Sequence, residues 1–292
     1  MFSSDRRVRF ALLSILSNTT LIILKIIAGI LSGSVSIISE AIHSGMDLAA
    51  SVVAFISVRK SSKPADRNHP YGHGKIENVS GIVEGLLIFV AAGMIINEAY
   101  KKIFEPVEIE QAAVAVVVMF IAAFINFLVS RKLYKISQEE DSMALEADAL
   151  HLKTDVYTSL GVGTGILLIK LTGIRVLDPI VAILVALLII KEAWELTKNA
   201  FDYLLDARLS DSEEVEIEKV IMEHGHEFID YHKLKTRKSG NMKHIDFHIT
   251  VDPDLTVKET HDIIGRMKKD MNEKFKKTRV TIHVDPYKKE GD

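Results

Sequence analysis

The sequence predicts a polytopic α-helical membrane protein with six transmembrane helices, followed by a small cytoplasmic α+β domain. Three observations carry this. Long apolar runs fill the chain to about residue 205, the remainder is dense in Lys, Glu, Asp and His, and 48% hydrophobic content coexists with 26% charged residues. Such a chain is too apolar for an ordinary soluble domain and too charged to lie wholly in lipid, so it divides into 1–205 and 206–292. The formal charge of −3 says little, because a global sum hides asymmetry between loops. Cysteine is absent, which excludes disulfides and leaves His and carboxylates to hold any metal.

Six stretches approach the roughly 20 apolar residues a bilayer requires. They are about 8–31, 36–59, 79–100, 112–134, 144–170 and 176–199. Arg6, Arg7 and Arg9 precede the first, as in a signal peptide. Its apolar run is too long for one and lacks a small-x-small cleavage site, so it reads as a retained span. Basic residues also gather between spans two and three (Arg59, Lys60, Lys63, Arg67, Lys75) and between four and five (Arg131, Lys132, Lys135). The opposite loops are short or poorer in them, and the positive-inside rule then puts both termini in the cytoplasm.

Span two carries Glu40, His43 and Asp47, and span five repeats the spacing with Asp148, His151 and Asp155. Positions i, i+3 and i+7 share one helix stripe. A charged residue at mid-bilayer costs about 2.5–3.5 kcal/mol on insertion scales, so acids there point to function. Spans two and five run in opposite directions, and both H-x-x-x-D pairs fall at similar depth. Two imidazoles and two carboxylates (His43, Asp47, His151 and Asp155) suit a tetrahedral Zn²⁺. The alternative is a set of polar groups that holds helices together or lines a proton path. Glu40 and Asp148 could orient ligands or relay ions, or serve as bundle hydrogen bonds. Asn18, Lys25 and Asn126 read as bundle or snorkelling residues.

The connection 60–78 contains two Pro and two Gly, hence loop chemistry, and offers Asp66, His69 and His73 either to a metal or to solvent. Beyond Asp206, a helix over about 212–226 opens with acids in its first turn. Strands at 229–238 and 243–251 flank Ser239-Gly240-Asn241, and a helix at 257–273 and a strand at 279–285 follow. This αββαβ order predicts a sheet with helices on one face. Ile245, Phe247, Ile249 and Val251 alternate with His244, Asp246 and His248, and Val280, Ile282 and Val284 alternate with Thr281, His283 and Asp285. The open face then presents His248, His283 and Asp285, with His232 and His261 as further candidates; a merely solvated face is the alternative. His224 and His226 sit at a helix end, where the dipole accounts for them, and His244 reads as a surface residue.

Six spans, paired H-x-x-x-D motifs, the loop Pro64-Ala65-Asp66-Arg67-Asn68-His69-Pro70-Tyr71-Gly72-His73-Gly74-Lys75 and a small C-terminal α/β domain resemble the cation diffusion facilitator family. The resemblance covers nearly the whole chain. It implies a transport site at His43, Asp47, His151 and Asp155, and a loop site at Asp66, His69 and His73. It further implies a ferredoxin- or metallochaperone-like cytoplasmic domain that forms a homodimer, with metal held by His232, His248, His261, His283 and Asp285. Lys75 would pair with Asp206 to lock that dimer. The expectation is a multi-pass inner-membrane antiporter, not an enzyme, that exports Zn²⁺ (or Cd²⁺, Co²⁺ or Fe²⁺) against protons. Zn²⁺ would be both cargo and structural ion, and no nucleic acid is involved. Two His with two Asp disfavour Mn²⁺. A metal sensor or channel would share every ligand, whereas an intramembrane hydrolase would need a motif such as H-E-x-x-H, which is absent.

Overall fold

A computed structural model describes residues 5–32, 35–104, 112–174 and 176–288. The chain forms two compact units, Met1–Phe201 and Asp202–Asp292.

In the first unit six helices follow one another: α1 (Arg6–Ser32), α2 (Val35–Ser61), α3 (Ile76–Phe104), α4 (Ala112–Glu140), α5 (Met143–Thr172) and α6 (Leu177–Leu204). Each has 27 to 30 residues, or about 40–45 Å at 1.5 Å per residue, enough to cross a bilayer. Among the described residues, Arg6–Ile27 and Ile76–Phe104 are both long and apolar enough to do so by composition. The α5 helix carries four charged residues, Glu146, Asp148, Lys153 and Asp155, in its first half. Polarity is arranged inside out: Leu16, Ile23, Phe124 and Leu184 are exposed, while Ser14, Asn18, Ser51, Glu84 and Asp148 are buried. An apolar exterior around a polar interior fits a lipid environment. Small side chains let the backbones approach, with Ala11, Ala54, Ala92, Ala147, Ala186 and Ala193 buried between helices. A Cβ at Gly85 would overlap Oγ1 of Thr197 on α6, so glycine there sets the α3–α6 approach.

Lys25 does not snorkel; it is buried and donates to Ser44 Oγ at 2.7 Å. At the N-terminal end of α1 a charged knot ties the helix ends. Arg7 Nη1 donates to Glu77 Oε1 at 2.5 Å, and its Nη2 donates to Asp5 at 2.7 Å and to Ser62 at 2.9 Å. Ser61 and Ser142 also donate to Glu77.

The second unit contains α7 (Asp211–Glu223), β1 (Asp230–Ser239), β2 (Met242–Val251), α8 (Val257–Lys274) and β3 (Thr278–Pro286). Both helices start on capping boxes, Ser210 with Glu213 and Thr256 with Glu259, which satisfy otherwise unpaired N–H groups. The sheet order is β1-β2-β3, antiparallel for β1–β2 and parallel for β2–β3. Gly240 takes φ +58° at the first central position of the hairpin turn, where a type II′ turn needs glycine. One face of β2 (Ile245, Phe247, Ile249, Val251) packs with Ile217 and Ile221 of α7 and with Ile263, Met267 and Met271 of α8. The opposite face carries the histidines.

Candidate metal centres

Asp47 on α2 and His151 and Asp155 on α5 bring their ligand atoms within 4.8 Å of one another. Asp47 and His151 are buried, and Nε2 of His151 lies 3.2 Å from Oδ1 of Asp47. The arrangement follows from the packing of α2 on α5, since Asp47 and Asp155 each sit about twelve residues, roughly 18 Å, into their helices. His43 belongs to α2, but its side chain lies outside the described residues, as does that of Glu40. Asn126 on α4 donates to Asp155 Oδ2 at 3.5 Å. Asn126 thus reaches the candidate site rather than serving only as a bundle or snorkelling residue, and its one signal in the sequence is an amide in an otherwise apolar run. Two carboxylates and an imidazole grouped in this way can hold a divalent cation or protons, each replacing the other.

A second group, Asp66, His69 and His73, lies in the α2–α3 connection. Asp66 Oδ1 is 3.3 Å from His69 Nδ1, and its Oδ2 is 3.3 Å from His73 Nε2. A turn closed by Gly72 N–H donating to His69 O at 2.9 Å, with Gly72 at φ +86°, brings them together. The backbone N–H of His69 donates to Asp66 Oδ1 at 2.7 Å and, with that of Asn68, holds its carboxyl below the ordinary range. Such an ionised carboxylate suits a cation.

The third group stands on the open face of the sheet. His232, His248 and His283 occupy matching positions on β1, β2 and β3. Asp285 is shared among them: Oδ2 is 2.9 Å from His248 Nδ1 and 3.2 Å from His232 Nε2, and Oδ1 is 3.3 Å from His283 Nε2. The bond from His248 is the chief reason the Asp285 carboxyl lies below its ordinary range. His232, His248 and Asp285 bring their ligand atoms within 4.8 Å of one another, a donor set that fits Zn²⁺, and His283 meets the other oxygen of Asp285.

His232 arrives there by a device that alternation does not reveal. The register shifts between His232 and Lys235, where Lys233 takes φ +55°. Continued unbroken from the Lys235–Asp246 pair, the ladder would put His232 opposite Ile249, on the helix-covered face. The bulge places it opposite His248 instead.

His261 does not join this group within the chain; it is exposed on α8, with Nδ1 3.7 Å from Asp262. Asp206 takes φ +61° just past α6, where Asp206 N–H donates to Tyr203 O and Ala207 N–H to Asp202 O, a Schellman closure. Its carboxylate accepts from Arg237 Nη1 at 3.2 Å within the same unit. Lys75 lies in the other unit, just ahead of α3, where its carbonyl accepts from Asn78 and Val79. His244 is buried rather than on the surface, and burial pushes its imidazole down. His224 does more than meet a dipole: its ring bridges Glu227 Oε1 at 2.7 Å and Asp270 Oδ2 at 2.9 Å.

Comparison with known proteins covers almost the whole chain. Residues 11–205 match the family described as "Cation efflux transmembrane domain", and residues 209–287 match "Cation efflux protein, cytoplasmic domain". An uncharacterized transporter of Synechocystis is 33% identical over 95% of this chain and 89% of its own. The cation-efflux pump FieF of Shewanella oneidensis is 29% identical over 94% and 92% of the two chains. The manganese efflux system protein MneP of Bacillus subtilis is 28% identical over 96% of each.

Proposed function

The chain belongs to the cation efflux family, and on that premise we propose that it exports a divalent cation, Zn²⁺ foremost, from the cytoplasm in exchange for protons. The observation carrying this reading is the meeting of Asp47, His151 and Asp155 inside the bundle. His43 completes the set by its place in the sequence, one helical turn before Asp47. Metal binding requires ionised carboxylates and neutral imidazoles, so metal entry expels protons and proton entry expels metal. Six spanning helices, both termini in the cytoplasm of an inner membrane, let the bundle rock about the site and open it to one side at a time.

The loop and sheet clusters are resident sites in this reading. A homodimer of the second unit would let His261 of one copy reach the histidine face of the other. Metal there favours the closed dimer by whatever affinity difference separates its two states.

A second cargo has support from the manganese-efflux relative. Carboxylates accept Mn²⁺, whereas imidazoles favour Zn²⁺, so His43 and His151 weight the site toward zinc. Proteoliposomes decide among the readings. The antiporter accumulates Zn²⁺ down an imposed pH gradient and moves protons the other way. A sensor moves nothing, a channel ignores the pH gradient, and a manganese exporter prefers Mn²⁺ in competition.

A further inference from the structure

The two sides of α2 differ in kind toward its C-terminal end. Asp47, Ser51, Ala54 and Val58 are buried along one stripe, and Ser61 and Ser62 continue it into the knot around Arg7 and Glu77. Val52, Ile56, Arg59, Lys60 and Lys63 are exposed along the opposite stripe. Lys63 lies just past the helix, yet Ser62 N–H donates to Val58 O and Lys63 N–H to Lys60 O, so the helical turn carries on to it. The knot holds the inner side and thereby fixes what the outer side presents. That outer stripe is apolar at Val52 and Ile56 and basic from Arg59 onward, and Arg67 adds a fourth exposed base in the connection that follows. None of these four bases makes a side-chain hydrogen bond or ion pair among the described residues. Asp66, the one acid between Val52 and Lys75, is already engaged with His69 and His73.

We propose that this outer stripe binds a phospholipid with an anionic headgroup, its phosphate on Arg59, Lys60 and Lys63 and an acyl chain along Ile56 and Val52. From Val52 to Lys63 the helix rises about 16 Å, comparable with the depth of one leaflet. Each base beside an anionic headgroup favours binding about fivefold, whereas a zwitterionic headgroup carries no net charge to attract it. The bases alone would serve any phosphate; the apolar track that adjoins them selects one that carries hydrocarbon. A lipid seated there holds the connection bearing Asp66, His69 and His73 against the headgroups. The lipid site goes beyond the proposed transport and does not depend on it.

The test offers the full-length, detergent-purified protein equal amounts of phosphatidylglycerol and phosphatidylethanolamine and counts the lipids retained by native mass spectrometry. The parent should prefer phosphatidylglycerol. Arg59→Gln, Lys60→Gln and Lys63→Gln together should erase that preference, a loss of up to about a hundredfold if the three bases act independently. Each single change should cost about fivefold, which keeps the test open if the triple variant does not fold. Lys60→Arg should keep the preference, and Ile56→Ser should weaken both lipids alike. An unchanged preference in the triple variant would overturn the proposal. So would an equal loss on Arg131→Gln with Lys135→Gln, which would make the attraction a property of the whole basic surface. Glycerol phosphate, a headgroup without its chains, should not displace the lipid; displacement would make the stripe a site for free anions and would also overturn the proposal.

Discussion

Nη1 of Arg7, at the start of α1, donates to Oε1 of Glu77, at the start of α3, and both side chains are almost wholly shielded from solvent. Glu77 also accepts from Ser61 and Ser142, so one carboxylate joins the ends of α1, α2 and α3 and the approach to α5. Glu77→Ala would leave a buried Arg7 N–H and the buried Ser142 hydroxyl without their partner, while Ser61 keeps its bond to Val58 O, at a cost of about 3 kcal/mol. The expected result is a clear fall in the melting temperature of the detergent-purified protein. Replacing Arg7 and Glu77 together by Met should recover much of it. Equal stability of Glu77→Ala and parent would refute the knot.

The Lys233 bulge gives a sharper expectation. Deleting residue 233 lets the ladder run straight from Lys235–Asp246 to His232–His248, so zinc affinity of the sheet cluster should survive. Lys233→Gly should stabilise the domain slightly, whereas Lys233→Ile should cost about 1–2 kcal/mol, because a β-branched residue resists φ +55°. Calorimetry on the full chain checks both. Loss of affinity on deletion would mean the bulge itself shapes the site.

Asp285 touches all three imidazoles of its cluster, so Asp285→Ala should abolish zinc binding there and leave the other two groups loaded. Metal analysis of the purified protein would show the lost equivalent. His261→Ala should weaken binding only where the protein is dimeric, which a dilution series reveals.

Acid should loosen the second unit through Glu227. Arg266 first, and His224 after it, pull the Glu227 carboxyl from 4.5 to about 2. A depressed carboxyl contributes stability that is whole above its unfolded value and lost as pH falls through its folded one. Melting temperatures should therefore decline between about pH 4.5 and 2, and Glu227→Gln should flatten that decline. An identical acid profile for both proteins would contradict it.

The sequence carries much of this architecture through period and punctuation. The helix of α7 is legible in Ser210-Asp211-Ser212-Glu213, the hairpin in Gly240-Asn241, and the buried face of β2 in its alternation. The twin H-x-x-x-D spacing likewise locates Asp47, His151 and Asp155, since i and i+4 share a helix face whatever surrounds it. What escaped depends on contacts between elements. Asn126 reaches Asp155 only because α4 lies against α5. His232 was legible as a candidate, but the bulge that brings it to the open face was not. Nor does alternation show that Asp206 accepts from Arg237 of its own unit and closes the end of α6.

Zinc uptake into proteoliposomes under an imposed pH gradient, comparing the parent with Asp47→Ala and Asp155→Ala, probes the intramembrane site most directly. The expected outcome is proton-coupled uptake by the parent and a rate near that of empty vesicles for either variant. Uptake by both variants as fast as the parent would place the path of the ion elsewhere.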